Sequence, residues 1–342
     1  MGQVTIKQLA AEVGLSVCTV NKALTGKPRI SEETRMRILD AAERLGYKPN
    51  LLAQALARRT LTIGVVYPEV WPDYYRKLVD GVRQGLAELY DHNIQARYRT
   101  LSATGSDLGT TLQELVEEGV AGVILCSSGH PSETAAWPTL TRRNLPCILL
   151  GNDIACVPRL TAVRLDARRC GRLAAELLCH LTAGGPLAIL VGNTDIMDHQ
   201  DKIAGFREEA AQLGCTVTGI YETQDDPALA YPATQRVFAE HPETAGIYIA
   251  TDNALGVCRY VRESERKIKL VATGVFPELR EYIAQGTVQF SLHQNMERQG
   301  LLAVRMLYRY LAWQTTPEPE VLVAPQVIAR NLQDLWATND AE

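Results

Sequence analysis

At Leu61 the hydrophobic pattern changes period, and that change divides the 342 residues into two unlike parts. Before it, apolar residues recur at helical spacing in short runs. After it, the apolar runs LTIGVVYP, AGVILCSS, LPCILLGN, PLAILVGN, AGIYIATD and IKLVATGV alternate with amphipathic stretches. Examples of the latter are YYRKLVDGVRQGLAEL, RRCGRLAAELLCHL, KIAGFREEAAQLG and NALGVCRYVRESE. Continuous apolar runs suit strands covered on both faces, and their alternation with helices predicts parallel α/β layers. A body of about 280 residues exceeds one comfortable core, so two lobes are expected.

The head reads as three helices. Thr5 can cap the first, with Gln8 three residues later in capping-box spacing. Ile6, Leu9, Ala10 and Val13 form its apolar stripe, and Gly14 ends it. Ser16 caps a second helix whose Val20, Ala23 and Leu24 face inward. Cys18, Asn21, Lys22 and Thr25 then point outward, with Val17 at the leading edge. Ser31 caps a third helix, Glu32 and Glu33 suit its positive end, and Gly46 and Pro49 close it. Two short helices joined by a tight glycine turn are a helix-turn-helix, whose second helix enters the major groove. The other reading is a small bundle that binds protein. Charge favours DNA: residues 1–60 carry about +5 and the rest about −9, within a net −4. A basic end on a mildly acidic chain is the footprint of a DNA-binding module.

The head resembles the lac repressor family of bacterial transcription regulators. The pattern there is close to T-I-x-D-V-A-x-x-A-G-V-S-x-x-T-V-S-R-V-L-N, then G-Y-x-P-N-x-x-A-x-x-L. This chain keeps Thr5, Ile6, Ala10, Gly14, Ser16, Thr19, Val20, Leu24, Gly46, Tyr47, Pro49, Asn50, Ala53 and Leu56. The resemblance implies that Val17, Cys18 and Lys22 touch base edges. Lys22 can donate to guanine, with less geometric discrimination than the family's usual Arg. Ser16, Thr19, Asn21, Thr25, Ser31 and Thr34, with Tyr47 and Asn50, are candidates for phosphates, which set register. For the hydroxyls the alternative is capping or solvation. The resemblance further implies that residues 49–60 order as a hinge helix on DNA, with Leu56 a wedge in the minor groove; a plain linker is the alternative. It implies a homodimer on a pseudo-palindromic operator in double-stranded DNA.

For the body the resemblance implies a two-lobed periplasmic-binding-protein-like (type I) effector domain with parallel sheets. Its boundaries are placed as a head over 1–48, a first lobe over 61–160 and 291–320, and a second over 161–290 and 321–338. Ligands in such sheets bind beyond the carboxyl ends of strands. The candidates there are Trp71, Tyr74 and Tyr75, then Ser127 and Ser128, Asn152 and Asp153, Asn193 to Asp195, and Thr251 and Asp252. Aromatics beside polar groups suit a sugar-like ligand, and ordinary lobe packing is the alternative. AQGTVQFSLHQN resembles ribose-type binding proteins, and there the place of Gln294 contacts the sugar. Three other matches differ: Lys202 stands for an Arg, Thr251 for an Asn, and Val275 falls near the place of an Asp. Lys202 can face the acid group of a sugar acid or sugar phosphate, or lie on a helix surface. Asp166 and Asp252 can be helix caps.

Neither a signal peptide nor a long apolar span is legible. The eight cysteines form no C-x-x-C pair, and several lie in apolar runs as buried, reduced thiols, which fits a bacterial cytoplasm and its nucleoid. No phosphate loop, nucleophile elbow or H-E-x-x-H pair is present, so no catalytic residue, cofactor or metal is expected. Scattered histidines are usually structural, although His199 and His293 can approach the pocket. The expectation is a ligand-responsive transcription regulator, a repressor in action and not an enzyme. The alternatives are a solute-binding protein for transport and a helix-turn-helix fused to a sugar-metabolising enzyme.

Overall fold

Two serines specify where the head's helices begin. In the computed structural model, which describes residues 6–24, 30–45, 60–69, 72–102, 105–154 and 156–332, these helices are α1 (Ile6–Val13), α2 (Val17–Leu24) and α3 (Glu32–Arg44). Ser16 Oγ accepts from the Thr19 amide at 3.1 Å, and Ser31 Oγ from the Thr34 amide at 3.3 Å. Each satisfies an N–H that the first helical turn leaves without a carbonyl. Gly14 makes the turn between α1 and α2 at φ 67°, a conformation that a Cβ would strain. Leu9, Val20 and Ile38, one from each helix, meet in a core closed to solvent. Arg37 donates to the Val13 carbonyl at 2.8 Å and Arg44 pairs with Glu12 at 2.6 Å, tying α3 to α1. The expected Thr5 cap and the hinge at 49–59 lie outside the described residues.

The body holds two six-stranded sheets. The first runs in the order β11 (Glu320–Val323), β5 (Thr161–Leu165), β4 (Cys147–Gly151), β3 (Gly122–Cys126), β1 (Leu61–Pro68) and β2 (Ile94–Leu101), all parallel. The second runs β12 (Gln326–Ile328), β10 (Phe290–His293), β9 (Lys269–Thr273), β8 (Gly246–Ile249), β6 (Leu187–Val191) and β7 (Val217–Glu222). There β12 is antiparallel to β10, among the described strands the one exception to the parallel pairing expected from the sequence. Strands β3, β4, β5 and β6 are buried at every position, because helices cover both faces of each sheet.

Among the described residues the chain crosses between lobes three times, each time a few residues later than the sequence boundaries placed it. Thr161–Leu165 pairs with β4 and β11, so it belongs to the first lobe. Phe290–His293 pairs with β9 in the second, and Glu320–Val323 with β5 in the first. A strand is kept by its ladder, so crossings fall after strands and not before them.

Helix packing fixes what faces the space between the lobes. In the first lobe α4 (Pro72–Glu88) packs on α12 (Met296–Trp313); in the second, α7 (Ala167–Thr182) packs on α8 (Met197–Gln212). The last two helices approach backbone to backbone. A Cβ on Gly171 would lie 2.0 Å from the Lys202 carbonyl, and one on Gly205 2.0 Å from the Arg168 carbonyl. Their ends also bring Cys179 and Cys215 together. Their Cα atoms lie 6.1 Å apart, within the span of a disulfide. Cys126, Cys147, Cys170 and Cys258 are buried and free, and Cys18 and Cys156 are free and exposed.

Candidate functional site

Between the lobes lies a cavity of about 350 Å³. The first lobe contributes Tyr74 and Tyr75 from α4, Ser128 after β3 and Asn152 after β4. The second contributes Asp198, His199 and Lys202 from α8, Asp225 after β7, Thr251 to Asn253 after β8, Phe276 and Glu278 after β9, and Gln294 after β10. Nearly all lie beyond strand carboxyl ends, where an open parallel sheet leaves room for a ligand.

Local backbone explains several positions. Gly151 closes β4 at φ 90°, and a Cβ there would come 3.1 Å from the Tyr74 hydroxyl. Glycine therefore lets the ring stand over the strand end. Tyr74 and Tyr75 meet edge to face at 5.1 Å between centroids, and burial raises the pKa of both hydroxyls, so both stay protonated.

Helix α8 supplies the charged floor. Asp198 and Lys202 stand one turn apart and are 5 % and 4 % exposed. Lys202 Nζ donates to the Ala250 carbonyl at 3.0 Å, so it is a buried cavity lysine and not the surface helix lysine that the sequence left open. Burial pushes the Asp198 carboxyl up to about 6, against the pull of Arg164 and then Lys202. Arg164, on β5 of the other lobe, donates to Asp198 at 2.7 Å, to Asp201 at 3.1 Å and to Glu320 at 2.8 Å. Burial lowers His199, which leaves its ring neutral near pH 7, with Nδ1 3.0 Å from the Asn193 amide nitrogen. Asp225 accepts from the Thr251 hydroxyl at 2.9 Å, and Gln294 donates to Asp252 at 3.4 Å. Lys77 of α4 donates to the Val275 carbonyl at 2.9 Å, another link between the lobes.

Among the described residues four carboxylates line the cavity, Asp198, Asp225, Asp252 and Glu278, against the single ammonium of Lys202. Arg164 offsets Asp198 from behind. The remaining field is negative, which opposes an anionic guest and admits a neutral one rich in hydroxyls.

Of the residues expected from the sequence, Tyr74, Tyr75, Asn152, Lys202, Thr251, Asp252 and Gln294 line the cavity. Ser127, Asp153 and Asp195 do not. Ser127 is closed to solvent and turned inward, donating to Glu133 at 2.8 Å and accepting from the Gly129 amide at 2.9 Å; its neighbour Ser128 takes the cavity wall. Asp153 pairs with Arg159 and accepts from the Ile154 amide at 2.8 Å, which braces its own loop. Asp195 is exposed ahead of α8, and its amide donates to Asn193 at 2.8 Å. Trp71 lies outside the described residues. His293 is buried but bonded to Asn295 at 3.0 Å and off the cavity wall, and Asp166 caps α7. Asp198, Asp225, Asn253, Phe276 and Glu278 were missed, as were the apolar Ile196 and Leu255. A helical-face reading of MDHQDK would have found Asp198 with Lys202, whereas Asp225 follows an edge strand with no apolar run to mark it.

On the head, Val17 is 40 % exposed and Cys18 and Lys22 are exposed, all on α2. Ser16 and Ser31 are exposed, and Thr19 and Thr34 are half-buried. The Ser16 hydroxyl meets that of Thr19 at 2.9 Å, and Ser31 that of Thr34 at 2.7 Å, so capping already engages all four. Thr25, Tyr47, Asn50, Leu56 and the side chain of Asn21 lie outside the described residues.

Residues 63–315 match the periplasmic binding protein domain, and residues 5–50 match the bacterial regulatory proteins of the lacI family. Catabolite control protein A of Priestia megaterium is 25 % identical over 332 residues, covering 91 % of this chain and 94 % of that protein. The HTH-type transcriptional regulator pepR1 of Lactobacillus delbrueckii subsp. lactis is 24 % identical, covering 96 % of this chain and 97 % of that protein. The solved structure of GanP, a glucose-galactose binding protein from Geobacillus stearothermophilus, superposes with a TM-score of 0.72 at 22 % identity, over 80 % of this chain and 99 % of that one. At that identity the likeness is one of fold.

Proposed function

The chain belongs to the periplasmic binding protein domain family through its body and carries a lacI-family head before it, and from this we propose a transcription regulator whose operator affinity is set by a small molecule held between its lobes. The observation that carries the reading is one chain joining an exposed recognition helix to an interlobe cavity with a polar floor and aromatic wall. It acts by binding and not by turnover, as a homodimer in the bacterial cytoplasm. Repression is its mode, on a pseudo-palindromic double-stranded operator.

Val17, Cys18 and Lys22 read base edges, the first by apolar contact and the last by donation. Each Ser–Thr pair at a helix start spends one hydroxyl proton on itself and keeps the other for a phosphate, and residues 49–60 form the hinge with Leu56 as its wedge. The effector is a neutral sugar or related polyol. The carboxylate-rich wall supports neutrality, and the engaged Lys202 argues against the sugar acids and sugar phosphates that its position suggested. Ligand closing on Asp198 also pulls on Arg164 at the first crossing, so cavity occupancy and lobe angle share one ion pair. A coupling of about 1–3 kcal/mol is enough to switch an operator.

Selection of random duplexes on the full-length protein tests the DNA reading. Enrichment of a two-fold symmetric site supports it. Recovery of sequence in proportion to the starting pool would overturn it.

A further inference from the structure

The cleft continues past the cavity described above. A second space of about 640 Å³ opens on the same cleft, and Ser128, Ile196 and Asp225 line both. Those three residues are walls common to the two spaces, termed here the inner and the outer chamber. We propose that the effector is a ligand of two linked units, a disaccharide or glycoside, with one ring in the inner chamber and the second in the outer one. This rests on the reading of the cleft as the effector site.

Size and chemistry both point there. The inner chamber lies at the small end of ligand pockets, about 300–1,000 Å³, whereas the two together reach the upper end. The outer chamber sets hydroxyls and amides, such as Ser106, Asn193 and Gln224, against carbon surface from Pro68, Leu101 and Leu108. A sugar ring presents the same mixture of hydroxyl edge and apolar face. Its two carboxylates are already served. Glu133 accepts from the Ser127 hydroxyl and the Ser128 amide, each at 2.8 Å, and Asp225 accepts from Thr251 at 2.9 Å. The walls come from both lobes, so a second ring there would hold the lobes together as the first does.

Gly109 gives a clean test. It lines the outer chamber from the first turns of the helix Leu108–Glu117, and a Cβ there meets nothing within 4 Å. Gly109→Phe therefore places a ring at the chamber wall from a Cβ that meets no neighbour, and removing a helical glycine favours the helix. Thermal shift and calorimetry would compare maltose, cellobiose, lactose and melibiose with D-glucose and D-galactose on the full chain. The expected result is a disaccharide that binds the unsubstituted protein more tightly than its component monosaccharides. In Gly109→Phe its affinity falls about tenfold or more, with monosaccharide affinity unchanged and the urea midpoint not lowered. Gly109→Ala is the control and leaves both classes in place. Stabilisation by monosaccharides alone, or a disaccharide indifferent to Gly109→Phe, overturns the two-unit proposal and leaves the effector site standing. Silence from every sugar overturns both.

Discussion

Arg164 and Asp198 lie 2.7 Å apart across the boundary between the lobes, and both are buried. Arg164 sits on the last strand before the first crossing, and Asp198 lines the cavity. A buried ion pair is costly to break from one side, because the remaining charge is left uncompensated. Arg164→Met is expected to destabilise the protein by about 3–5 kcal/mol in urea unfolding, and Arg164→Met with Asp198→Leu to recover most of that loss. Strictly additive losses would contradict the pairing.

Two buried groups give opposite pH dependences. Asp198 has a folded pKa of about 6 against an ordinary 3.8. Between those values the folded protein keeps a proton that the unfolded chain releases, so stability from this group falls as pH rises from 3.8 to 6. Burial depresses His293 to about 4 from 6.5, so the unfolded chain binds the extra proton, and stability from this group rises with pH from about 4 to 6.5. Each is worth on the order of 3 kcal/mol, and they offset each other. Acidification from about pH 6.5 to 4 is expected to cost Asp198→Asn more stability than the unsubstituted protein, and His293→Gln less. Identical profiles for all three would refute the assignment.

Gly205 is where α8 meets α7, and the atom that a side chain would strike there is a backbone oxygen. Backbone cannot swing aside, so Gly205→Val is expected to cost about 1–3 kcal/mol or more. Helix α8 carries Asp198, His199 and Lys202, so its displacement should also raise the Kd of any cavity ligand. Calorimetry on the folded fraction checks this; a weaker protein with unchanged Kd would show that α8 does not move.

Lys22→Ala is expected to relax preference at one base pair of each half-site, by about 1–3 kcal/mol, in competition binding against single-base variants of the selected operator. A uniform loss over all variants would move Lys22 from base edge to phosphate.

The parts of this molecule that read clearly from sequence are those with one dominant signal. β1 is buried along most of its length and coincides with the apolar run LTIGVVYP. β2, an edge strand, interleaves exposed residues such as Gln95 and Arg97 with half-buried ones, and gave no run to notice. β7 is likewise an edge strand, and with it went Asp225, the carboxylate after it. At strand ends the residue type was legible but not its direction. Ser127 and Ser128 follow the end of β3 and both donate to Glu133, yet Ser127 is closed to solvent while Ser128, half-buried, also forms cavity wall. The contact of Arg164 with Asp198 joins residues 34 apart in the chain, and no periodicity reports a contact of that kind.

The most direct test of ligand control is operator affinity with and without the sugar that stabilises the protein most. Fluorescence anisotropy of the selected duplex, titrated at fixed salt, gives both constants. A change of about 5–150-fold at saturating sugar, lost in Asp198→Asn, is the predicted result. The same operator Kd at zero and saturating sugar would contradict the account.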